Sequence, residues 1–369
     1  MPTTQSTEAP TLKSRVFVTG ASGYIGFAVC RAFIRAGYTV YGLVRNSDSA
    51  DKLTAEEITP VIGSISLDLS FADELLSQKS MPPFDVIVSC TEQIPFDEHW
   101  KHVLSLLTKL ALHAQSHGIM PLVLMSSGCK DYGMTLRHNE PGLTPHTEKS
   151  PLQPVDLIKQ RTLCTLKVFE HKDLFDAVVI RPTPLYGYGS SYYGVMFEAF
   201  SQLKQSAAES GGRPQVRVPG HPDNIYHGCH VDDCAEAYVC LASHPDRSQV
   251  NGECFNVSAR RYETVAEITA ALIAEYNIEI TTTTTTDDDD DVADELRPLD
   301  AVLGYTQWVD STKIRALTGW SDSHPLFSEN VRVYRAAYEA AARSGDASVA
   351  RIKNRVAGWV ASGLKFGEK

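Results

Sequence analysis

Residues 15–45, RVFVTGASGYIGFAVCRAFIRAGYTVYGLVR, constrain this chain more than any other stretch. Val16, Phe17 and Val18 form a short apolar run of strand-forming residues, the pattern of a strand buried on both faces. Gly20, Gly23 and Gly26 follow at G-x-x-G-x-x-G. In that spacing the first glycine permits a tight turn, the second lets backbone N–H groups approach a pyrophosphate, and the third lets the next helix lie close on the strand. Ile25, Val29, Phe33 and Ile34 give that helix an apolar face, Gly37 ends it, and residues 38–44 read as a second strand. Strand, glycine turn, helix and strand are the opening of a dinucleotide-binding domain, with phosphate expected at the helix N-terminus beside Ser22, Gly23, Tyr24 and Ile25.

The second strand ends in Arg45-Asn46, where a protein that prefers NAD places an acidic side chain for the ribose 2′-hydroxyl. An arginine there pairs instead with a 2′-phosphate, so the expected cofactor is NADP(H), with NAD(H) the alternative. The competing reading of Arg45 is a solvated loop cation.

A net charge of −11 argues against nucleic acid or an anionic membrane as partner. No run of eighteen apolar residues occurs, and the N-terminal MPTTQSTEAPTLKS is polar, so a cytoplasmic protein is expected, with residues 1–14 a disordered tail. The eight cysteines, Cys30, Cys90, Cys129, Cys164, Cys229, Cys234, Cys240 and Cys254, form no C-x-x-C pair and read as reduced thiols. His227, Cys229, His230 and Cys234 lack a usual ligand spacing, and no metal is expected.

Further along, residues 48–59 read as helical, 59–63 as a third strand, 84–90 as a fourth, 100–117 as a helix and 120–127 as a fifth strand. A helix over 156–170 and a strand over 176–181 follow. Alternating strands and helices of this kind imply an α/β fold with a doubly wound parallel sheet of Rossmann type, whose ligands lie at the carboxyl ends of the strands. The expected division is a Rossmann domain over 15–185, to which 225–260 returns, a smaller C-terminal substrate domain from 186–224 and 261–345, and a C-terminal helix in 346–369. Six threonines and five aspartates from Thr281 to Asp291 read as part of a flexible acidic loop over 281–295.

The glycine turn, Arg181-Pro182-Thr183-Pro184-Leu185-Tyr186-Gly187, His230-Val231-Asp232-Asp233-Cys234-Ala235-Glu236-Ala237 and the segment DSTKIRALTGW over 310–320 together resemble the extended short-chain dehydrogenase/reductase family, which includes the NAD(P)-dependent epimerases and dehydratases. The resemblance runs from Arg15 to Tyr338. It implies further cofactor contacts at Ser64, Ile65, Cys90, Thr91, Ser126, Pro182, Thr183 and Leu185, and a homodimer.

The resemblance also implies a tyrosine acid/base with a lysine four residues later, and here the pattern breaks. Lys159 is in place to hold the nicotinamide ribose, but Val155 stands where the tyrosine belongs, and valine carries no transferable proton. The exit of the fifth strand, Ser126-Ser127-Gly128-Cys129-Lys130-Asp131-Tyr132-Gly133, offers replacements. Its Gly128-x-Lys130-x-Tyr132-Gly133 spacing is similar to the G-x-K-H-Y motif of the progesterone-reductase and iridoid-synthase branch, which implies an active-site role for Lys130. Ser127 and Lys130 are therefore expected to polarise a substrate oxygen, with Tyr132 or water supplying the proton.

Substrate contacts are expected from His146, Tyr186, Tyr192, Tyr193, Tyr226 and His227, an aromatic set suited to a small, largely apolar molecule. The expected activity is NADP(H)-dependent reduction of a carbonyl or enone. The alternatives are an epimerase or dehydratase that retains its nucleotide, a non-redox isomerase or lyase, and a nucleotide-sensing protein.

Overall fold

The computed structural model describes residues 14–78, 81–210, 219–278 and 294–361. Residues 1–13 of the expected tail and the threonine–aspartate run lie outside the described residues. The strands are β1 Arg15–Thr19, β2 Thr39–Val44, β3 Thr59–Ile62, β4 Val86–Ser89, β5 Leu122–Ser126, β6 Asp176–Pro182, β7 Leu185–Tyr186, β8 Ile225–Tyr226, β9 Cys229–His230, β10 Glu253–Val257 and β11 Glu263–Thr264. Seven of them form a central parallel sheet in the order β10-β6-β5-β4-β1-β2-β3.

β1 pairs in parallel with β2 on one side and β4 on the other, with Val16 opposite Val40 and Val86. The chain thus winds outward from β1 to β3 and resumes across β1 at β4. Where a parallel sheet reverses in this way, the carboxyl ends of the two strands open a crevice, and ligands bind there. The doubly wound α/β Rossmann-type fold read from the sequence is the fold observed.

The chain divides by its packing into two compact units, the first built from residues up to Met125 with Cys164–Val178 and Pro245–Glu253, the second from Ser126–Leu163, Val179–His244 and Cys254 onward. These units do not follow the linear boundary expected at residue 185. The segment after β5 belongs to the second unit because its turn is bonded to Tyr305 and Gln307 of that unit.

In the first unit, α1 (Tyr24–Arg35) follows the glycine turn, and α2 (Ser47–Thr54) is capped by Asn46, whose Oδ1 accepts from Ser49 N at 3.0 Å. α2 stops short of the expected residue 59 because Glu57 turns left-handed, with φ of 62°. α3 (Ser70–Ser77) precedes α4 (Phe96–Ser116), which buries Trp100, Val103, Leu106, Leu107, Leu110 and Ala114, the apolar face read from the sequence. α4 begins four residues before the expected start, where Asp97 and Glu98 complement the positive end of the helix.

α5 (Asp156–Leu166) is followed in the second unit by α6 (Tyr193–Ser210), α7 (Val231–Ala242), α8 (Val265–Tyr276), α9 (Asp300–Leu303), α10 (Thr312–Thr318), α11 (Val331–Arg343) and α12 (Ala347–Ala361). α8 opens on a capping box, Thr264 with Glu267. The core of this unit is aromatic: Tyr186, Tyr193, Phe197, Phe200, Phe327 and Tyr338 pack together, and Val349 and Val356 bring α12 onto them. α12 corresponds to the expected C-terminal helix.

Candidate active site

Gly20, at the end of β1, has φ of +67°, and a Cβ there would lie 2.8 Å from the Cys90 carbonyl oxygen. A Cβ at Gly26 would lie 2.2 Å from the Gly20 carbonyl oxygen. Both contacts are shorter than a carbon and an oxygen tolerate, so the turn closes on α1 only because these residues are glycines. Gly23 bonds back to Gly20 O at 2.8 Å and brings no side-chain cap to α1. The first-turn N–H groups then meet whatever anion lies against the turn, which fits the donor set a pyrophosphate requires.

Ser22 is exposed on this turn, Tyr24 and Ile25 are half-buried, and Thr91 packs beside Gly20 with its methyl 3.1 Å from the Gly20 Cβ position. The Thr91 hydroxyl is bonded to His99 Nε2 at 3.0 Å. Burial lowers the His99 pKa, so the ring is neutral at pH 7 and holds Thr91 as an uncharged partner. His99 carries no motif, and sequence reading passed over it. Arg45 is exposed just after β2, and Ser64 is exposed and Ile65 half-buried after β3.

The second unit holds the polar cluster. Its centre is Asp131, 1% exposed, on the turn Cys129–Tyr132 that follows β5. Asp131 Oδ1 accepts from Arg161 Nη2 at 2.6 Å and Thr162 Oγ1 at 2.7 Å, and Oδ2 accepts from Ser127 Oγ at 2.6 Å and Arg181 Nε at 3.2 Å. A carboxylate has about four lone-pair positions, and all four are occupied. Ser127 therefore has its hydrogen committed to Asp131 and presents acceptor lone pairs, which corrects the expectation that it polarises a substrate oxygen.

Tyr132 is fully buried. Its hydroxyl donates to Asn256 Oδ1 at 2.8 Å and accepts from Arg181 Nη1 at 2.9 Å, and burial pushes its pKa up. It braces the ion pair rather than supplying a proton. The His146 ring stacks on Tyr132, with centroids 5.4 Å apart.

Lys130 is half-buried. Its Nζ lies 4.5 Å from the Tyr305 ring centroid and 5.9 Å from that of Tyr192. Its backbone is held on both sides: Tyr305 donates to the Lys130 carbonyl, and Gln307 Nε2 donates to Cys129 O at 2.8 Å and Gly133 O at 2.7 Å. Burial, and the Arg161 guanidinium beside it, lower the Lys130 pKa to about 8.

Val155 is half-buried just before α5, and Lys159 is exposed on α5. Ser126 Oγ bonds with the Tyr238 hydroxyl at 2.8 Å. Thr183 is buried, and its N–H and hydroxyl both donate to Val257 O; Pro182 and Leu185 are buried too.

Four of the six expected substrate contacts are core residues. Tyr186 is 1% exposed and donates to Pro325 O; Tyr193 and Tyr226 lie in the aromatic core. Both ring nitrogens of His227 are engaged, Nε2 with Ala259 O and Nδ1 by Val309 N, and burial lowers its pKa to about 4. Tyr192, stacked on Trp359, and His146 keep partial exposure.

Among the described residues His230, Asp232 and His324 bring ligand-type atoms within 4.8 Å of one another. The two imidazoles stack at 3.8 Å and 11°, so their in-plane lone pairs run side by side instead of converging, and His230 Nδ1 already accepts from Asp232 N. His230 N-caps α7, Asp232 Oδ2 accepts from the Tyr188 hydroxyl, and His324 Nδ1 is bonded to Asp233 Oδ1 at 2.9 Å.

The model of the NAD-dependent epimerase/dehydratase family matches residues 16–258, and the chain belongs to that family. Solved structures similar in fold include dTDP-glucose 4,6-dehydratase from Bacillus anthracis in complex with NAD (16% identity, 89% of this chain and 97% of that one, TM-score 0.61). UDP-glucose-4-epimerase from Stenotrophomonas maltophila, with bound NAD, is similar at 18% identity over 90% of this chain and all of that one, TM-score 0.60. RMD from Pseudomonas aeruginosa, complexed with NADPH, is similar at 18% identity over 89% and 98%, TM-score 0.59. The uncharacterized protein C2A9.02 of Schizosaccharomyces pombe is 49% identical over 51 residues, 14% of this chain and 17% of that protein. The match thus spans under a fifth of that relative's length. No helix among the described residues is long and apolar enough to cross a membrane.

Proposed function

We propose that this chain is an NADP(H)-dependent oxidoreductase that reduces the carbonyl or enone of a small, largely apolar metabolite. What supports this most is the placement of Lys130 on the turn Cys129–Tyr132 after β5, whose carbonyls Tyr305 and Gln307 hold; burial lowers the pKa of its amine to about 8. A general acid works best with a pKa near the working pH. The Lys130 ammonium donates to the substrate oxygen and gives up its proton as that oxygen gains charge. Ser127 and Tyr132 are spent on Asp131, Asn256 and Arg181, so proton delivery falls to Lys130.

Gly20, Gly23 and Gly26 would hold the pyrophosphate, Arg45 the 2′-phosphate, and Lys159 the ribose. The nicotinamide, when bound, supplies the hydride. Tyr192 and His146 remain to meet the substrate. The reading places the protein in the cytoplasm, acting on a small molecule as a homodimer.

A second reading, an epimerase or dehydratase with retained NAD, is favoured by the NAD-bound dehydratase and epimerase of similar fold. Val155 weighs against it, since the tyrosine that the family pattern carries at that position has no counterpart here and valine has no transferable proton.

The test is a fluorescence titration with NADPH and NADH on the wild type and Arg45→Ala, followed by a carbonyl and enone screen with Lys130→Ala. Arg45→Ala should weaken NADPH by about tenfold or more and NADH little. Equal losses would remove the 2′-phosphate assignment, and turnover surviving in Lys130→Ala would remove the acid. Tightly held NAD in the purified protein would favour the second reading.

A further inference from the structure

We propose that His99 is a positioning residue for the nucleotide, holding the Thr91 hydroxyl so that its hydrogen is given to a pyrophosphate oxygen on the glycine turn. The inference rests on the proposed nucleotide site and adds to it a residue that no glycine motif contains. The strand exit that carries Thr91 is fixed on that turn. Cys90 N donates to Thr19 Oγ1 at 3.3 Å, the Cys90 carbonyl oxygen lies 2.8 Å from the Gly20 Cβ position, and the Thr91 methyl lies 3.1 Å from it. Thr91 is half-buried, and among the described residues its hydroxyl is bonded only to His99 Nε2, at 3.0 Å.

A hydroxyl has one hydrogen, and the ring nitrogen facing it either gives one or takes one, so the His99 tautomer decides where the Thr91 hydrogen goes. The ring is neutral on two grounds. His99 N closes the first turn of α4 on Pro95 O at 3.1 Å, at the positive end of the helix, where a cation is disfavoured. Burial also lowers its pKa, helped by His102 and opposed by the Thr91 backbone and the exposed Glu92.

A neutral ring has one N–H and one bare lone pair. Nδ1 is buried and has no hydrogen-bond partner among the described residues. An N–H left unpaired in the interior is rarer than an unpaired acceptor, so the proton belongs on Nε2, and Nε2 donates to Thr91. The Thr91 oxygen is then an acceptor towards His99, and its own hydrogen remains for a group outside the protein. Phosphate oxygens accept hydrogens and give none, and the turn beside Thr91 is where a pyrophosphate would lie. The opposite tautomer would spend that hydrogen on the ring.

The experiment is a calorimetric titration of the full chain with NADPH and with NADH, on the wild type, Thr91→Val, His99→Leu, His99→Gln and the double variant Thr91→Val with His99→Leu. Proton–nitrogen NMR of the histidine-labelled wild type reads the tautomer, with the His99 signal assigned as the one that His99→Gln lacks. Thr91→Val should weaken both nucleotides by roughly tenfold or more, the loss of one hydrogen bond to a charged acceptor. His99→Leu should weaken them too, and the double variant should bind no worse than Thr91→Val, because both changes remove one and the same hydrogen bond. His99→Gln, whose amide can donate in place of Nε2, should recover most of the affinity. The NMR signal should place the proton on Nε2. A proton on Nδ1, wild-type affinity in Thr91→Val, or losses that add in the double variant overturns the proposal. A wild type that binds neither nucleotide removes the nucleotide site and this role of His99 with it, whereas a wild type that binds both while Thr91→Val is unaffected removes the role of His99 alone.

Discussion

Ser127 gives its hydroxyl hydrogen to Asp131 across 2.6 Å, and the same carboxylate holds Arg161 and Arg181. One buried anion thereby fixes the orientation of a serine and pairs with two guanidinium groups.

Removing that anion should therefore be costly. Asp131→Asn leaves Arg181, whose side chain is 3% exposed, and Arg161 without their counter-charge. Breaking one partner of a buried pair typically costs about 3–5 kcal/mol. Urea denaturation should show a loss of that order, and a loss under about 1 kcal/mol would mean that water compensates the arginines.

Tyr132→Phe tests the neighbouring link. The substitution keeps the ring under His146 but leaves the Asn256 carbonyl oxygen without this donor and Arg181 Nη1 without this acceptor. A loss of about 1–3 kcal/mol is expected in chemical denaturation, the usual cost of a buried polar group left unmade. An unchanged midpoint would return Tyr132 to the pool of proton donors.

Lys130→Met should alter stability in a pH-dependent way. The folded pKa of Lys130 is about 8, below the unfolded value of about 10.4, so between those values the unfolded chain binds more protons. Wild-type stability then rises with pH through that window, and the full penalty is felt below about pH 8. Methionine removes the penalty, so the variant should be more stable by about 1–2 kcal/mol at pH 7 and should lose this advantage as pH approaches 10. Thermal melts at pH 7 and 9.5 decide it; a difference that ignores pH would rule out the lysine charge as its cause.

At the other site, Gly26→Ala should abolish nucleotide binding, because the added methyl meets the Gly20 carbonyl oxygen at 2.2 Å and must push α1 off the turn. Overpacking of this kind costs about 1–3 kcal/mol. Calorimetric titration with NADPH should show no binding to a protein whose circular dichroism remains that of a folded chain. Retained affinity would mean that the turn relaxes.

The glycine turn, the alternation of strands and helices and the buried face of α4 were legible because each follows from a rule local to a few residues. Asp131 was not, because its partners Arg161 and Arg181 stand 30 and 50 positions away and nothing in a charged turn announces a buried one. The strand Asp176–Pro182 did carry a signal: Arg181 closes an apolar run, where a cation stays only with a counter-charge. Tyr186, Tyr193 and Tyr226 misled for a physical reason. An aromatic set reads as ligand-facing, yet these rings fill the core of the second unit, and aromatic filler and aromatic contact share one composition.

Gln307, which ties the turn carrying Lys130 at both Cys129 and Gly133, stands 178 and 174 residues downstream of them. Synthesis runs from the N-terminus, and domains fold as they emerge. The residues of β1, its glycine turn and α1 are thus synthesised long before the residue that ties the lysine turn. A nascent chain halted before position 307 carries the glycine turn but lacks the side chain that ties the Cys129 and Gly133 carbonyls, so the shape of the lysine turn waits on a residue made late in synthesis.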